Sequence, residues 1–153
     1  MVGNSLLATT NSGYGGTAEI RSPAMIQDVY VTGLGWGTPA QIDRMNGLRY
    51  LNAEHFDDLP LPWQRFIKLH EEGHYVMNTN NELAADEYGF YRYAAEGWPL
   101  SECIPALTRI LDPNDPAHKL RVVMMEKRVY EYDAFVNKNP KALAFLKQKF
   151  NYA

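Results

Sequence analysis

The chain has 153 residues, 46% of them hydrophobic, 12% aromatic and 22% charged, with a formal net charge of −3. That length and apolar content suit one globular domain with a proper core. The mildly acidic balance argues against nucleic acid or an anionic membrane as the main partner. Cys103 is the only cysteine, so no intramolecular disulfide can form.

Residues 1–24 are rich in Gly, Ser, Thr and Asn, with Gly13, Gly15 and Gly16 around Tyr14. They read as an extended or flexible N-terminal arm, of a kind that can dock on a protein partner. The opening Met1-Val2-Gly3-Asn4-Ser5 has no basic stretch of the signal-peptide kind, and no segment approaches a membrane span of about 18 apolar residues. The expectation is a soluble protein, cytoplasmic or virion-associated.

Residues 25–153 read as a single α+β domain, mostly helical. Asp28-Val29-Tyr30-Val31-Thr32 is rich in β-branched and aromatic residues and predicts a short strand. Gly33-Leu34-Gly35-Trp36-Gly37 breaks it. No Lys-Ser/Thr pair follows, so this is a loop anchored by Trp36 rather than a phosphate cradle. Thr38-Pro39-Ala40-Gln41 spells a helix start, with Thr as N-cap, Pro at N1 and Gln completing a capping box; Asn46-Gly47 closes that helix. Leu48-Arg49-Tyr50-Leu51 is a second strand candidate. The polar loop after it carries His55, expected to be solvent-exposed rather than a further metal ligand.

Leu59-Pro60-Leu61-Pro62 leads into a helix whose face Trp63, Phe66, Ile67, His70, His74, Met77 repeats at helical spacing. Within it stands His70-Glu71-Glu72-Gly73-His74, an H-E-x-x-H. Residues i and i+4 share a helix face, so His70 and His74 can aim two imidazole nitrogens at one point, half the shell of a tetrahedral Zn²⁺. Glu71 lies about 100° round from His70, able to act on a water at the metal without being a ligand. A third protein ligand and an open position are then required.

Asn78-Thr79-Asn80-Asn81 is turn and N-cap chemistry, and a second helix runs from about Glu82 to Glu96, closed by Gly97 and Pro99. An antiparallel hairpin pivoting near Asn78-Thr79 sets Glu82 beside His74 and Asp86 beside His70. Glu82 is the natural third ligand, and Asp86 would accept the other ring N–H of His70 and fix its tautomer. The swap, Asp86 as ligand and Glu82 behind it, stays open on spacing alone.

The run from Leu48 to Asn52, a linker, and Gln64-Arg65-Phe66-Ile67-Lys68-Leu69-His70-Glu71-Glu72-Gly73-His74-Tyr75 resemble the strand–loop–helix of ImmA/IrrE-type metallopeptidases. Glu82-x-x-Ala85-Asp86 is similar to the third-ligand helix of the wider gluzincin group, including HtpX-like proteases. The likeness covers roughly residues 48–97, with a shorter gap between His74 and Glu82 than those families usually have. It implies a zincin-like fold with a small edge sheet before the H-E-x-x-H helix and a C-terminal helical subdomain. It also implies Zn²⁺ on His70, His74 and Glu82, with Glu71 as the catalytic carboxylate.

After Trp98-Pro99, Ser101 can cap a third helix from Glu102 to Leu111. Cys103, among Ile104, Ala106 and Leu107, reads as a small buried residue rather than a nucleophile. Asp115-Pro116 starts a fourth helix to about Val136, with Leu120, Val123, Met124, Lys127 and Tyr130 as its core stripe. Asn139-Pro140 starts a last one to about Phe150. By likeness to gluzincins, His118 and Arg121 are the candidates for stabilising an oxyanion.

The expected function is zinc-dependent hydrolysis of a peptide or protein substrate. Glu71 would act as general base and Asp86 would orient His70. Val29–Thr32 or Leu48–Leu51 would pair with an extended substrate as an edge strand. The competing expectation is a structural or interaction protein on the same scaffold, such as a phage-particle component with structural or vestigial zinc. The 10 tyrosines and the N-terminal arm suit packing against partners.

Overall fold

The computed structural model describes residues 21–151. All of the expected arm except residues 21–24 therefore lies outside the described residues. Three strands form, β1 (Gln27–Val31), β2 (Ala40–Ile42) and β3 (Leu48–Asn52). Five α-helices follow: α1 (Leu61–Val76), α2 (Glu82–Ala95), α3 (Cys103–Ile110), α4 (His118–Phe135) and α5 (Pro140–Phe150). The described chain is thus mixed α+β and mostly helical. Residues 21–24 are tied to its frame: Arg21 N donates to Val76 O at 3.2 Å, and its guanidinium donates to Arg44 O and lies 5.0 Å over the Tyr75 ring.

The sheet runs β1-β3-β2, with β1 parallel and β2 antiparallel to β3. Two expectations fail here. The helix expected over residues 38–47 does not form; Ala40 pairs with Leu51 and Ile42 with Arg49. The would-be capping groups have other partners, Thr38 Oγ1 donating to Ala40 O at 3.1 Å and Pro39 O accepting from Asn52 N at 2.8 Å. A capping box offers only local bonds, whereas the ladder with β3 also buries Ala40 in the core. The second failure concerns the edge. Leu48–Leu51 lies in the central strand, with both ladders filled, so it cannot accept an added strand.

α1 is the middle of the domain, packed on α2, α3 and β2. Phe66, Ile67 and Leu69 from α1 meet Leu51, Phe56, Phe90, Tyr93, Leu107 and Met125, all fully buried. The α1–α2 contact is close enough to need glycine twice. A Cβ at Gly73 would stand 3.1 Å from Tyr88 Cβ, and one at Gly89 would stand 3.1 Å from His70 N and 3.2 Å from its Cα. Those two positions let the helices approach backbone to backbone beside the histidines.

The C-terminal helices depart from expectation in detail. Leu100–Glu102 is a 3₁₀ turn, and α3 starts only at Cys103. Ser101, expected as the cap, lies inside that turn; Glu102 stands at the N-cap without a side-chain cap bond, its carboxylate accepting from Trp63 Nε1 at 2.8 Å. Cys103 is fully buried, and burial pushes its thiol pKa far up, which leaves it inert. On α4 the inward residues are Arg121, Met125, Arg128, Val129 and Ala134, while Leu120 and Val123 are exposed. The expected stripe is rotated because an arginine, not a leucine, is drawn inside. α5 begins as expected, with Asn139 Oδ1 accepting from Lys141 N at 3.0 Å. Among the described residues no helix is long and apolar enough to cross a membrane.

Candidate metal centre

His70 and His74 lie one turn apart on α1, and both face the first turn of α2. The connection is short and held by hydrogen bonds. Asn78 takes a positive φ of 47°, Thr79 N donates to His74 O at 3.0 Å, and Asn81 Oδ1 caps α2 through Ala84 N at 3.0 Å. That cap makes Glu82 the first residue of α2, directly across from His74.

The ring nitrogens away from the hairpin seam have partners that can only accept. His74 Nδ1 lies 2.8 Å from Thr79 O. His70 Nδ1 lies 2.9 Å from Asp86 Oδ1. This buried nitrogen makes no well-directed hydrogen bond, so the carboxylate sits beside it rather than on the N–H axis. At that distance the carboxylate still favours a proton on Nδ1. Both Nε2 atoms therefore face one point.

Three atoms meet there. His70 Nε2 and His74 Nε2 are 3.2 Å apart, and Glu82 Oε1 is 3.2 Å from the first and 2.6 Å from the second. Zinc–ligand bonds of about 2.0–2.1 Å in a tetrahedron imply ligand–ligand edges of about 3.3 Å. Two sides of the triangle match that edge, and the third is contracted to a hydrogen bond. Among the described residues these three form the cluster able to hold a metal. Asp86 is fully buried on the Nδ1 side of His70, so Glu82, not Asp86, completes the triangle.

Electrostatics agree with the geometry. Burial works against a charge on His70, but Asp86 and Glu82 outweigh it and raise its pKa to about 10. Burial also opposes ionisation of Glu82 and Asp86. For Glu82 the two histidines win and hold the carboxyl well below the usual range. For Asp86, His70 and Arg121 do the same. The pocket of atoms is built around a positive charge. Glu71, beside it with Oε2 3.8 Å from His70 Nε2, goes the other way, and burial lifts its pKa above the ordinary glutamate value.

The triangle opens on a cavity of about 460 Å³. Glu71, Trp36 and Ile110 line it, as do Ala40, Gln41 and Ile42 of β2. The Glu82 side chain is 43% exposed, which leaves the front of the triangle accessible.

No family model matches the chain, and no curated protein or solved structure is significantly similar to it.

The remaining candidates fall outside this group. His118 is exposed at the start of α4 and does not line the cavity. Arg121 is buried behind the triangle, bound to Asp86 through Nε at 2.8 Å and Nη2 at 3.0 Å and to Asp115 at 3.0 Å. Its nearest approach to the triangle is 3.8 Å, from Nη1 to Glu82 Oε2. It thus supports Asp86 rather than facing the cavity. His55 is half-buried, with Nε2 3.1 Å from Gly37 O and 3.2 Å from Arg109 Nη2. Sequence reasoning missed β2 as a wall of the site, and also missed Asp115. The Asp-Pro before α4 marked a helix start, but nothing in its spacing pointed to a guanidinium six residues on.

Proposed function

We propose that the protein is a zinc-dependent peptidase of zincin type. His70, His74 and Glu82 would hold the metal, and Glu71 would be the general base. The observation that carries this is the triangle of two Nε2 atoms and Glu82 Oε1 facing an open cavity. A purely structural zinc would be closed by a fourth protein ligand, and the described cluster has three. A cation held there would supply a Lewis acid that acidifies water and polarises a carbonyl.

The chain's own residues supply the rest. Glu71, with its raised pKa, takes a proton from water at its Oε2 and later returns it to the leaving amine. Thr79 O and Asp86 keep both imidazoles with Nε2 forward. β2 is an outer strand of the sheet and lines the cavity, so an extended peptide can add to its edge. Of the two strands expected in this role, Leu48–Leu51 is central and β1, though outer, does not line the cavity, so the role is proposed for β2.

Purified protein should contain one zinc per chain and cleave unfolded casein, with cleavage lost in chelator. Glu71→Gln should keep the metal and lose cleavage, and His74→Ala should lose both. Cleavage that persists in Glu71→Gln refutes the mechanism. Zinc without any cleavage points to the competing role, a structural component with a vestigial site.

A further inference from the structure

The loop between β1 and β2 brings Trp36 to the same cavity as His70, Glu71, His74 and Glu82. Its backbone is left-handed, φ 46° and ψ 20°. Glycine adopts that conformation freely, and a residue with a side chain does not. Gly35 and Gly37 flank it, and neither has an atom within 4 Å of where a Cβ would stand. A bulky indole thus occupies one of three left-handed positions of the loop, the other two being held by Gly33 (φ 77°) and Gly37 (φ 72°). Such a residue persists where the surroundings hold it, and these outliers cluster at ligand clamps.

The surroundings do hold it. Thr38 N donates to Gly35 O at 3.1 Å, Asn52 Nδ2 to Thr38 O at 3.2 Å, and His55 Nε2 lies 3.1 Å from Gly37 O. The turn is thereby tied to β3 and, through His55 and Arg109, to α3. The indole itself is not core: it is 46% exposed, whereas Phe56, Phe66, Phe90 and Tyr93 are all at 0%. Ile42 lines the same cavity, with the largely buried Ala40 and Ile110 behind it. Of the polar groups nearby, Thr38 Oγ1 is engaged with Ala40 O and Arg44 Nη1 with Asn78 Oδ1 at 2.9 Å, while Gln41 and Asn80 also line the cavity.

We propose that Trp36 is a specificity-determining residue that receives a large apolar side chain, aromatic or long aliphatic, from a peptide lying along β2. The identity of the ligand as a peptide rests on the metallopeptidase reading; the apolar preference rests on the loop. Burying a phenylalanine side chain against this wall should favour binding roughly tenfold to a hundredfold over glycine.

Phenylalanine, glycine and aspartate hydroxamates, which chelate zinc, serve as probes for calorimetric titration of the zinc-loaded full chain. The phenylalanine probe should bind at least about tenfold tighter than the other two. Trp36→Ala should shrink that gap to about threefold while zinc content and glycine-hydroxamate affinity stay unchanged, and Trp36→Phe should keep most of it. Equal affinity for all three probes, or a gap that survives Trp36→Ala, overturns this inference and leaves the metallopeptidase reading standing. Failure of every probe to bind the zinc-loaded chain overturns both.

Discussion

Arg121 grips Asp86 with two nitrogens, Nε at 2.8 Å and Nη2 at 3.0 Å, while the same carboxylate lies 2.9 Å from His70 Nδ1. Arg121 is 1% exposed and Asp86 0%, so this pair is out of water. Asp115 holds the guanidinium from its other side at 3.0 Å. A line of alternating charge thus runs from the start of α4 through α2 to a histidine on α1. It explains why α4 turns an arginine inward and leaves Leu120 and Val123 to solvent.

Arg121→Met keeps the volume and removes the guanidinium. It leaves Asp86 buried beside His70 with no cation behind it. Breaking a buried pair in this way costs about 3–5 kcal/mol, and losing support behind a ligating histidine costs about 10–100-fold in metal affinity. Urea unfolding and zinc competition against a chelator read the two effects. Wild-type values in both would show that Arg121 has no hold on the site.

The metal-free site should keep a proton where a cation would sit. The pKa of His70 is raised from 6.5 to about 10, with burial opposing and Asp86 and Glu82 prevailing. A raised folded pKa gives stability that is fully present below 6.5 and lost as pH rises through about 10. Metal-free protein should therefore lose stability across that window. Zinc must displace the proton, so binding should release protons, detectable as a buffer-dependent heat in calorimetry. A flat stability profile for the metal-free chain from pH 6.5 to 10 would count against this account.

Gly89→Ala tests the close approach of the two helices. Alanine improves helix propensity by up to about 1 kcal/mol, but its Cβ would stand 3.1 Å from His70 N, a backbone atom that cannot swing aside. The clash should dominate, with a net destabilisation of about 1–3 kcal/mol and weaker zinc binding as α2 carries Glu82 away. Gly35→Ala is the control, since nothing lies within 4 Å of its Cβ and its φ is not positive. Thermal unfolding of the two variants should separate clearly.

Arg65 and Glu96 join the far ends of α1 and α2 through contacts of 2.7 and 2.6 Å. Hydrogen bonding to Arg65 lowers the Glu96 pKa from 4.5 to about 2. A depressed folded pKa gives stability that is present above 4.5 and lost as pH falls towards 2. The pair is partly exposed, so solvent screening holds its worth to about 1 kcal/mol or less. Glu96→Gln should cost that amount at pH 7, nothing near pH 2, and less in 1 M salt; an equal cost at both pH values would remove the ion pair from the explanation.

Features with local causes can be read from the order of residues. The i, i+4 spacing of His70 and His74 is a property of any helix, and the short polar turn before Asn81 dictates that α2 return antiparallel with Glu82 at its start. β1, β3 and the Asn139-Pro140 start of α5 were legible for the same reason: neighbouring residues suffice to specify them. Features that depend on partners distant in the chain emerge only in the folded molecule. Residues 38–42 carry a good helix-start signal, yet they form a strand because β3 offers a ladder and a buried slot for Ala40. Arg121 lies inside because Asp86, 35 positions earlier, neutralises it there. Hydrophobic periodicity treats an arginine as surface, and only the folded chain supplies the carboxylate that makes its burial favourable.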